Sequence, residues 1–162
     1  MPHESTEQTI GQLLYEKGLM LTTAESCTGG LVASLITDVP GSSAYFLGGV
    51  VTYSNKLKRD LLGVAEATLE QYGAVSQETT LAMARGARER FDADIAVSVT
   101  GIAGPGGGTP EKPVGLTWIG FSAHDQEAAF RFMWNQGREQ NKLLSAQAAL
   151  KLIEEYLEQR GG

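Results

Sequence analysis

Asp94-Ile95-Ala96-Val97-Ser98-Val99-Thr100, running into Gly101-Ile102-Ala103-Gly104-Pro105-Gly106-Gly107-Gly108-Thr109-Pro110, decides the fold. The first seven residues are almost unbroken in apolar character, as a strand covered on both faces must be. The glycines that follow suggest a nucleotide loop, but a dinucleotide fingerprint leads from a strand into a helix. Here the chain passes Pro110 and Pro113 into residues 114–123, which read as another strand, and no P-loop lysine followed by Ser or Thr is present. Close backbone approach to a ligand is one reading of such a loop, and a plain connection is the other. Residues 128–134 then pair with 114–123 as an antiparallel hairpin turning at His124-Asp125-Gln126, so His124 sits at a solvated tip. Past the hairpin, Asn135-Gln136-Gly137-Arg138 opens a long amphipathic helix with Leu143, Ala146, Leu150, Ile153 and Leu157 along its apolar stripe.

Toward the N-terminus, Ser5-Thr6-Glu7-Gln8 is a capping box ahead of Ile10, Leu13, Leu14 and Lys17 at helical spacing, with Gly18 as the stop. Residues 20–24 read as a strand, 31–36 as a helix halted by Asp38 and Pro40, and 49–53 as a strand. Residues 58–64 and 65–72 read as short helices ended by Gly63 and Gly73, and Ser76 caps a helix over 77–91. Strands alternating with helices and a terminal hairpin with its helix give an α/β class. The expectation is a single three-layer α/β/α domain over 1–162 with a sheet of mixed direction.

A chain of 162 residues folds around one core without staples. No apolar run approaches the ~18 residues that cross a bilayer, and no basic-then-apolar leader opens the chain. Cys27 is the sole cysteine, which rules out an internal disulfide framework and fits a cytoplasmic location. The net charge of -6 argues against nucleic acid as a partner. His3 and His124 are the only histidines, so a histidine-based triad would have to be built on His124 alone, a zinc site is hard to assemble, and no metal is expected.

Candidate chemistry gathers in Pro40-Gly41-Ser42-Ser43-Ala44-Tyr45-Phe46-Leu47-Gly48-Gly49-Val50-Val51-Thr52-Tyr53-Ser54-Asn55-Lys56. A turn with two serines, a glycine pair and a Tyr-Ser-Asn-Lys end place a hydroxyl, a phenol and an amine where they can meet as an acyl-transfer centre. Ser42 and Ser43 remain alternatives for the nucleophile. The polar loop Glu25-Ser26-Cys27-Thr28-Gly29-Gly30 precedes a helix, whose free amides suit an anion or a carbonyl oxygen. Equally, Ser26 or Thr28 is a plain helix cap. Cys27, with no histidine nearby, reads as a small buried hydrophobe. Arg138 at the first turn of a helix either holds an anionic group there or pairs with Glu139 and water.

Those segments together resemble the C-terminal domain of the competence/damage-inducible CinA family, the nicotinamide mononucleotide amidohydrolases. The resemblance rests on Ala24-Glu25-Ser26-Cys27-Thr28-Gly29-Gly30, Pro40-Gly41-Ser42-Ser43, Gly48-Gly49-Val50-Val51-Thr52-Tyr53-Ser54-Asn55 and Gly73-Ala74-Val75-Ser76. It continues through Thr100-Gly101-Ile102-Ala103-Gly104-Pro105, Gly107-Gly108-Thr109, Lys112-Pro113-Val114-Gly115 and Gly137-Arg138. It implies hydrolysis of the carboxamide of nicotinamide mononucleotide to nicotinate mononucleotide and ammonia, in a stand-alone form; no cofactor, no membrane partner and a homo-oligomer (a dimer or larger) are expected alongside. By the same resemblance Ser43 is the nucleophile, Lys56 its base and Tyr53 the third member. Ser26, Thr28, Gly29, Gly30, Thr100, Gly104 and Arg138 would line the mononucleotide pocket, with Arg138 on the phosphate. Many members carry a second arginine one helical turn later. Lys142 stands there, which keeps the charge but not the bidentate fork. A non-catalytic nucleotide sensor and an interaction module linked to competence or DNA damage are the alternatives.

Overall fold

The computed structural model describes residues 3–160. Helix α1 (Thr6–Lys17) begins at Ser5, whose hydroxyl accepts from the Gln8 amide while the Gln8 side chain accepts from the Ser5 amide. After it come β1 (Leu21–Glu25), α2 (Leu31–Thr37), a 3-10 turn (Ser42–Ala44), β2 (Phe46–Val51), α3 (Asn55–Leu62), α4 (Glu66–Tyr72) and α5 (Gln77–Arg90). The chain closes with β3 (Ile95–Gly101), β4 (Leu116–Ala123), β5 (Glu127–Met133) and α6 (Arg138–Gln159). Among the described residues no helix is long and apolar enough to cross a membrane.

The strands form one sheet in the order β2-β1-β3-β4-β5. β1 runs parallel to both its neighbours, whereas β4 is antiparallel to β3 and β5 to β4. Alternating side chains feed two cores. On one face Leu21, Val97, Val99, Ile119 and Phe121 pack against Leu14 of α1, Val32 of α2 and Leu150, Ile153 and Leu157 of α6. On the other, Ala24 and Ala96 pack against Leu62 of α3, Leu69 of α4 and Met83 and Ala87 of α5. Each leucine, isoleucine, valine, phenylalanine or methionine among them, taken fully out of water, contributes about 1.5–3 kcal/mol. The expected three-layer arrangement with a mixed sheet is the one observed.

Two of the boundaries that differ from the sequence reading bear on function. The strand after the serine turn runs from Phe46 to Val51, so Tyr53 lies beyond it. The next helix begins at Asn55 rather than at residue 58, because the Ser54 hydroxyl caps it by accepting from the Leu57 amide (3.1 Å). At 3.6 residues per turn, Lys56 and Lys58 point in nearly opposite directions, about 200° apart. Leu62, one turn beyond Lys58, is buried, so Lys58 is carried inward and Lys56 outward.

The chain leaves β1 toward β2 on one side of the sheet and returns from β2 to β3 on the other. The loops that follow β1 and β3 therefore diverge at the carboxyl ends of these adjacent strands, the crevice where open α/β sheets bind ligands.

Candidate active site

At that crevice the β1 strand ends in Glu25, and Ser26 extends the pairing by donating its amide to the Val99 carbonyl (2.9 Å). Gly29 and Gly30 then turn the chain with φ of 62° and 104°, a backbone that side chains rarely adopt. The loop is anchored from below by Glu25, which is 1% exposed. Its carboxylate accepts from the Thr28 hydroxyl (2.6 Å) and from the amides of Val32 (2.9 Å) and Ala33 (3.1 Å) at the start of α2. A buried anion is tolerated there because three donors and the positive end of a helix face it.

Lys58 enters from α3 with 1% exposure. Its Nζ donates to the Thr52 carbonyl (2.8 Å) and the Tyr53 carbonyl (3.3 Å), and lies 3.0 Å from Ser26 Oγ. Burial pushes the Lys58 ammonium down from 10.5 to about 8. Two carbonyls hold two N–H bonds, and the third position of the amine faces Ser26 Oγ. A neutral Lys58 thus aims its lone pair at the serine hydroxyl, which is the geometry of a nucleophile with its base. Ser26 keeps 8% of its surface exposed. Cys27, beside it, is pushed up to about 12 by burial and stays a thiol.

The first turns of α6 border the same loops. Arg138 donates from one guanidinium nitrogen to the Gly104 carbonyl (2.8 Å) and from the other to the Tyr53 hydroxyl (3.2 Å), joining the loops that follow β2 and β3. Asn141 is buried and adds a bond from Nδ2 to the Ala103 carbonyl (3.0 Å), while its Oδ1 accepts from the Gln136 amide (3.0 Å). Lys142, one turn beyond Arg138, reaches the serine loop, its Nζ being 3.8 Å from where a Cβ on Gly29 would stand. A serine–lysine pair beside a glycine turn, with two cations of α6 at the adjoining loops, can attack a carbonyl of an anionic substrate. A model of the CinA C-terminal domain matches residues 3–157.

The chain belongs to the CinA C-terminal domain family.

It is 53% identical over 150 residues to the CinA-like protein of Chlorobaculum tepidum, covering 90% of this chain and 36% of that protein. To the CinA-like protein of Desulfotalea psychrophila it is 49% identical over 154 residues, 95% of this chain and 37% of that one. The chain thus spans little more than a third of these curated relatives. Among solved structures, the competence/damage inducible protein CihA from Agrobacterium tumefaciens is 42% identical with a TM-score of 0.86, covering 94% of this chain and 96% of that one. A CinA superfamily protein from Klebsiella pneumoniae is 31% identical with a TM-score of 0.90, covering 96% and 99%.

The structure does not bring together Ser43 and Lys56, the nucleophile and base expected from the CinA resemblance. Ser43 lies in the 3-10 turn before β2, and Tyr53 and Lys56 lie after it. A six-residue strand separates them by about 20 Å, at opposite ends of β2. Ser42 sits in the same distant turn. Lys56 is spent on a surface pair with Asp60 (2.6 Å), its side chain 72% exposed. Tyr53 does reach the site, but its carbonyl meets Lys58 while its phenol, on a residue 61% exposed, meets Arg138. The serine expected only to line the pocket, Ser26, is the one with a buried amine at hydrogen-bond distance.

Of the expected lining residues, Ser26, Thr28, Gly29, Gly30, Gly104 and Arg138 are brought to one edge. Thr100 is at the same edge, but it is buried with its hydroxyl donating to the Ala74 carbonyl (2.9 Å), so it ties the α4–α5 connection to β3. Lys58 and Glu25 were missed as functional residues. The capping Ser54, with Lys58 four residues before Leu62 on the inward helix face, was the available signal for the lysine. Cavity size does not mark this site: hollows of about 460 Å³ between α1 and α6 and about 400 Å³ over β2 contain neither Ser26 nor Lys58.

Proposed function

We propose that the chain hydrolyses the carboxamide of nicotinamide mononucleotide to nicotinate mononucleotide and ammonia, with Ser26 as nucleophile and Lys58 as its base. The observation that carries this reading is the buried Lys58 Nζ, 3.0 Å from Ser26 Oγ at the sheet's ligand crevice. The substrate class comes from the CinA family resemblance, and the two cations of α6 suit its phosphate. Arg138, already oriented by Gly104 and Tyr53, offers a bidentate grip, and Lys142 adds charge from the other side of the glycine turn.

In the first half-reaction the Ser26 proton passes to Lys58 as Oγ bonds to the carboxamide carbon. The oxyanion requires donors, and among the described residues the amides of Cys27, Thr28 and Gly30 donate to no backbone carbonyl. The carbon–nitrogen bond then breaks, and Lys58 returns its proton to the departing nitrogen, releasing ammonia. In the second half-reaction Lys58 takes a proton from water as its oxygen attacks the acyl carbon. The ester bond breaks, and the proton goes back to Ser26 Oγ.

The test is ammonia release from nicotinamide mononucleotide. The parent protein turns over, Ser26→Ala and Lys58→Ala lose at least about a thousandfold in kcat, and Ser43→Ala and Lys56→Ala stay within a few fold of the parent. Nucleotide binding without ammonia from the parent would make the domain a sensor instead. Full activity in Ser26→Ala would end the reading.

A further inference from the structure

Strand register carries Thr52 to the level of Ser26. Ala24 stands opposite Val50 and Glu25 opposite Val51, and the Thr52 amide donates to the Glu25 carbonyl (2.8 Å). By alternation Thr52 shares the face of Val50, which packs in the α3–α5 core, the side from which Lys58 approaches Ser26. Thr52 is 0% exposed, and its own carbonyl is the closest acceptor of Lys58 Nζ. Yet its hydroxyl has no hydrogen-bond partner among the described residues. An unpaired hydroxyl in the interior is uncommon, and here it belongs to the residue whose carbonyl holds a buried amine.

Protonated Lys58 has three N–H bonds and, in the resting site, three acceptors: the Thr52 and Tyr53 carbonyls and Ser26 Oγ. Once Ser26 Oγ has bonded to a reacting carbon, it is a poorer acceptor and the third N–H is released. We propose, on the Ser26–Lys58 reading above, that Thr52 is a positioning residue whose hydroxyl accepts that third N–H whenever Ser26 is covalently engaged and Lys58 carries the proton. The buried hydroxyl cannot touch substrate, so it acts through Lys58. It holds the proton at Nζ until the leaving group takes it, and its resting state without a partner follows from this role.

A small alkyl fluorophosphonate tests this without depending on the natural substrate. Ser26 Oγ bonds to phosphorus, its proton passes to Lys58, and the phosphorus–fluorine bond breaks to release fluoride. Labelling is followed by mass spectrometry, with Ser26→Ala as the blank. Thr52→Val, which keeps the shape and removes the hydroxyl, should slow the maximal labelling rate by about 10- to 100-fold with the half-saturating concentration unchanged. Thr52→Ser should restore the rate to within about threefold of the parent. Thr52→Val should melt at or above the parent temperature, since it removes an unpaired buried hydroxyl. A valine variant labelled at the parent rate, or a serine variant as slow as valine, overturns the proposal. So does a valine variant that melts below the parent, which would make the hydroxyl structural. An unlabelled parent overturns the Ser26–Lys58 pair itself, an outcome distinct from a labelled parent with an equally labelled valine variant.

Discussion

Replacing Lys58 by methionine keeps an unbranched side chain, one atom shorter, and removes its titration, so the pH dependence of stability becomes a direct reading of the buried amine. In the unfolded chain the lysine titrates at its ordinary 10.5, and in the folded protein at about 8. Below pH 8 both states hold the proton, and above 10.5 neither does. Between these values the unfolded state binds a proton that the folded state does not, so folding gains about 1.4 kcal/mol per pH unit as pH rises. Over that window the gain amounts to about 3 kcal/mol, absent below pH 8 and complete above 10.5. The other titrating groups are common to parent and Lys58→Met, so they cancel in the difference. Urea unfolding of both proteins at pH 7 and near pH 10 should show the stability of the parent rising relative to the variant by about 2–3 kcal/mol. Parallel profiles would mean that Lys58 titrates normally and is not the desolvated base described here. The same shift governs rate: about one molecule in ten carries neutral Lys58 at pH 7, against roughly one in three thousand for an unperturbed lysine. Ammonia release should therefore climb about tenfold per pH unit and level off above pH 8.

Glu25→Ala strands the Thr28 hydroxyl and the Val32 and Ala33 amides in the interior, and should cost about 3 kcal/mol or more in thermal or urea unfolding. Arg138→Ala should raise KM for nicotinamide mononucleotide at least about tenfold with a smaller change in kcat. Lys142→Ala should do less, because an ammonium lacks the fork; equal KM values for both variants and the parent would remove the anion-binding role of α6. Gly86→Ala would put a Cβ 1.9 Å from the Leu62 carbonyl where α5 presses on α3. The substitution should lower stability by about 1–3 kcal/mol, and an unchanged melting temperature would contradict that close packing.

Local chemistry alone determined the element types, the two-sided burial of residues 94–100, the caps at Ser5 and Ser76, and the antiparallel hairpin, because each rests on neighbours within a few residues. It also exposed the polar loop after β1 and the oddly placed Arg138, whose functional reading needs only a charge and a helix end. What the tertiary structure decided was the pairing of chemistry across the chain. Ser43 and Lys56 are thirteen positions apart, but β2 runs between them and sends them to its opposite ends. Ser26 and Lys58 are thirty-two apart and meet, because parallel β1 and β2 place both following segments at one edge and the Ser54 cap turns Lys58 inward. A lysine in a charged run reads as a solvated face until its environment is known. Only the packing of α3 against the sheet removes it from water, and that desolvation is what makes it a base.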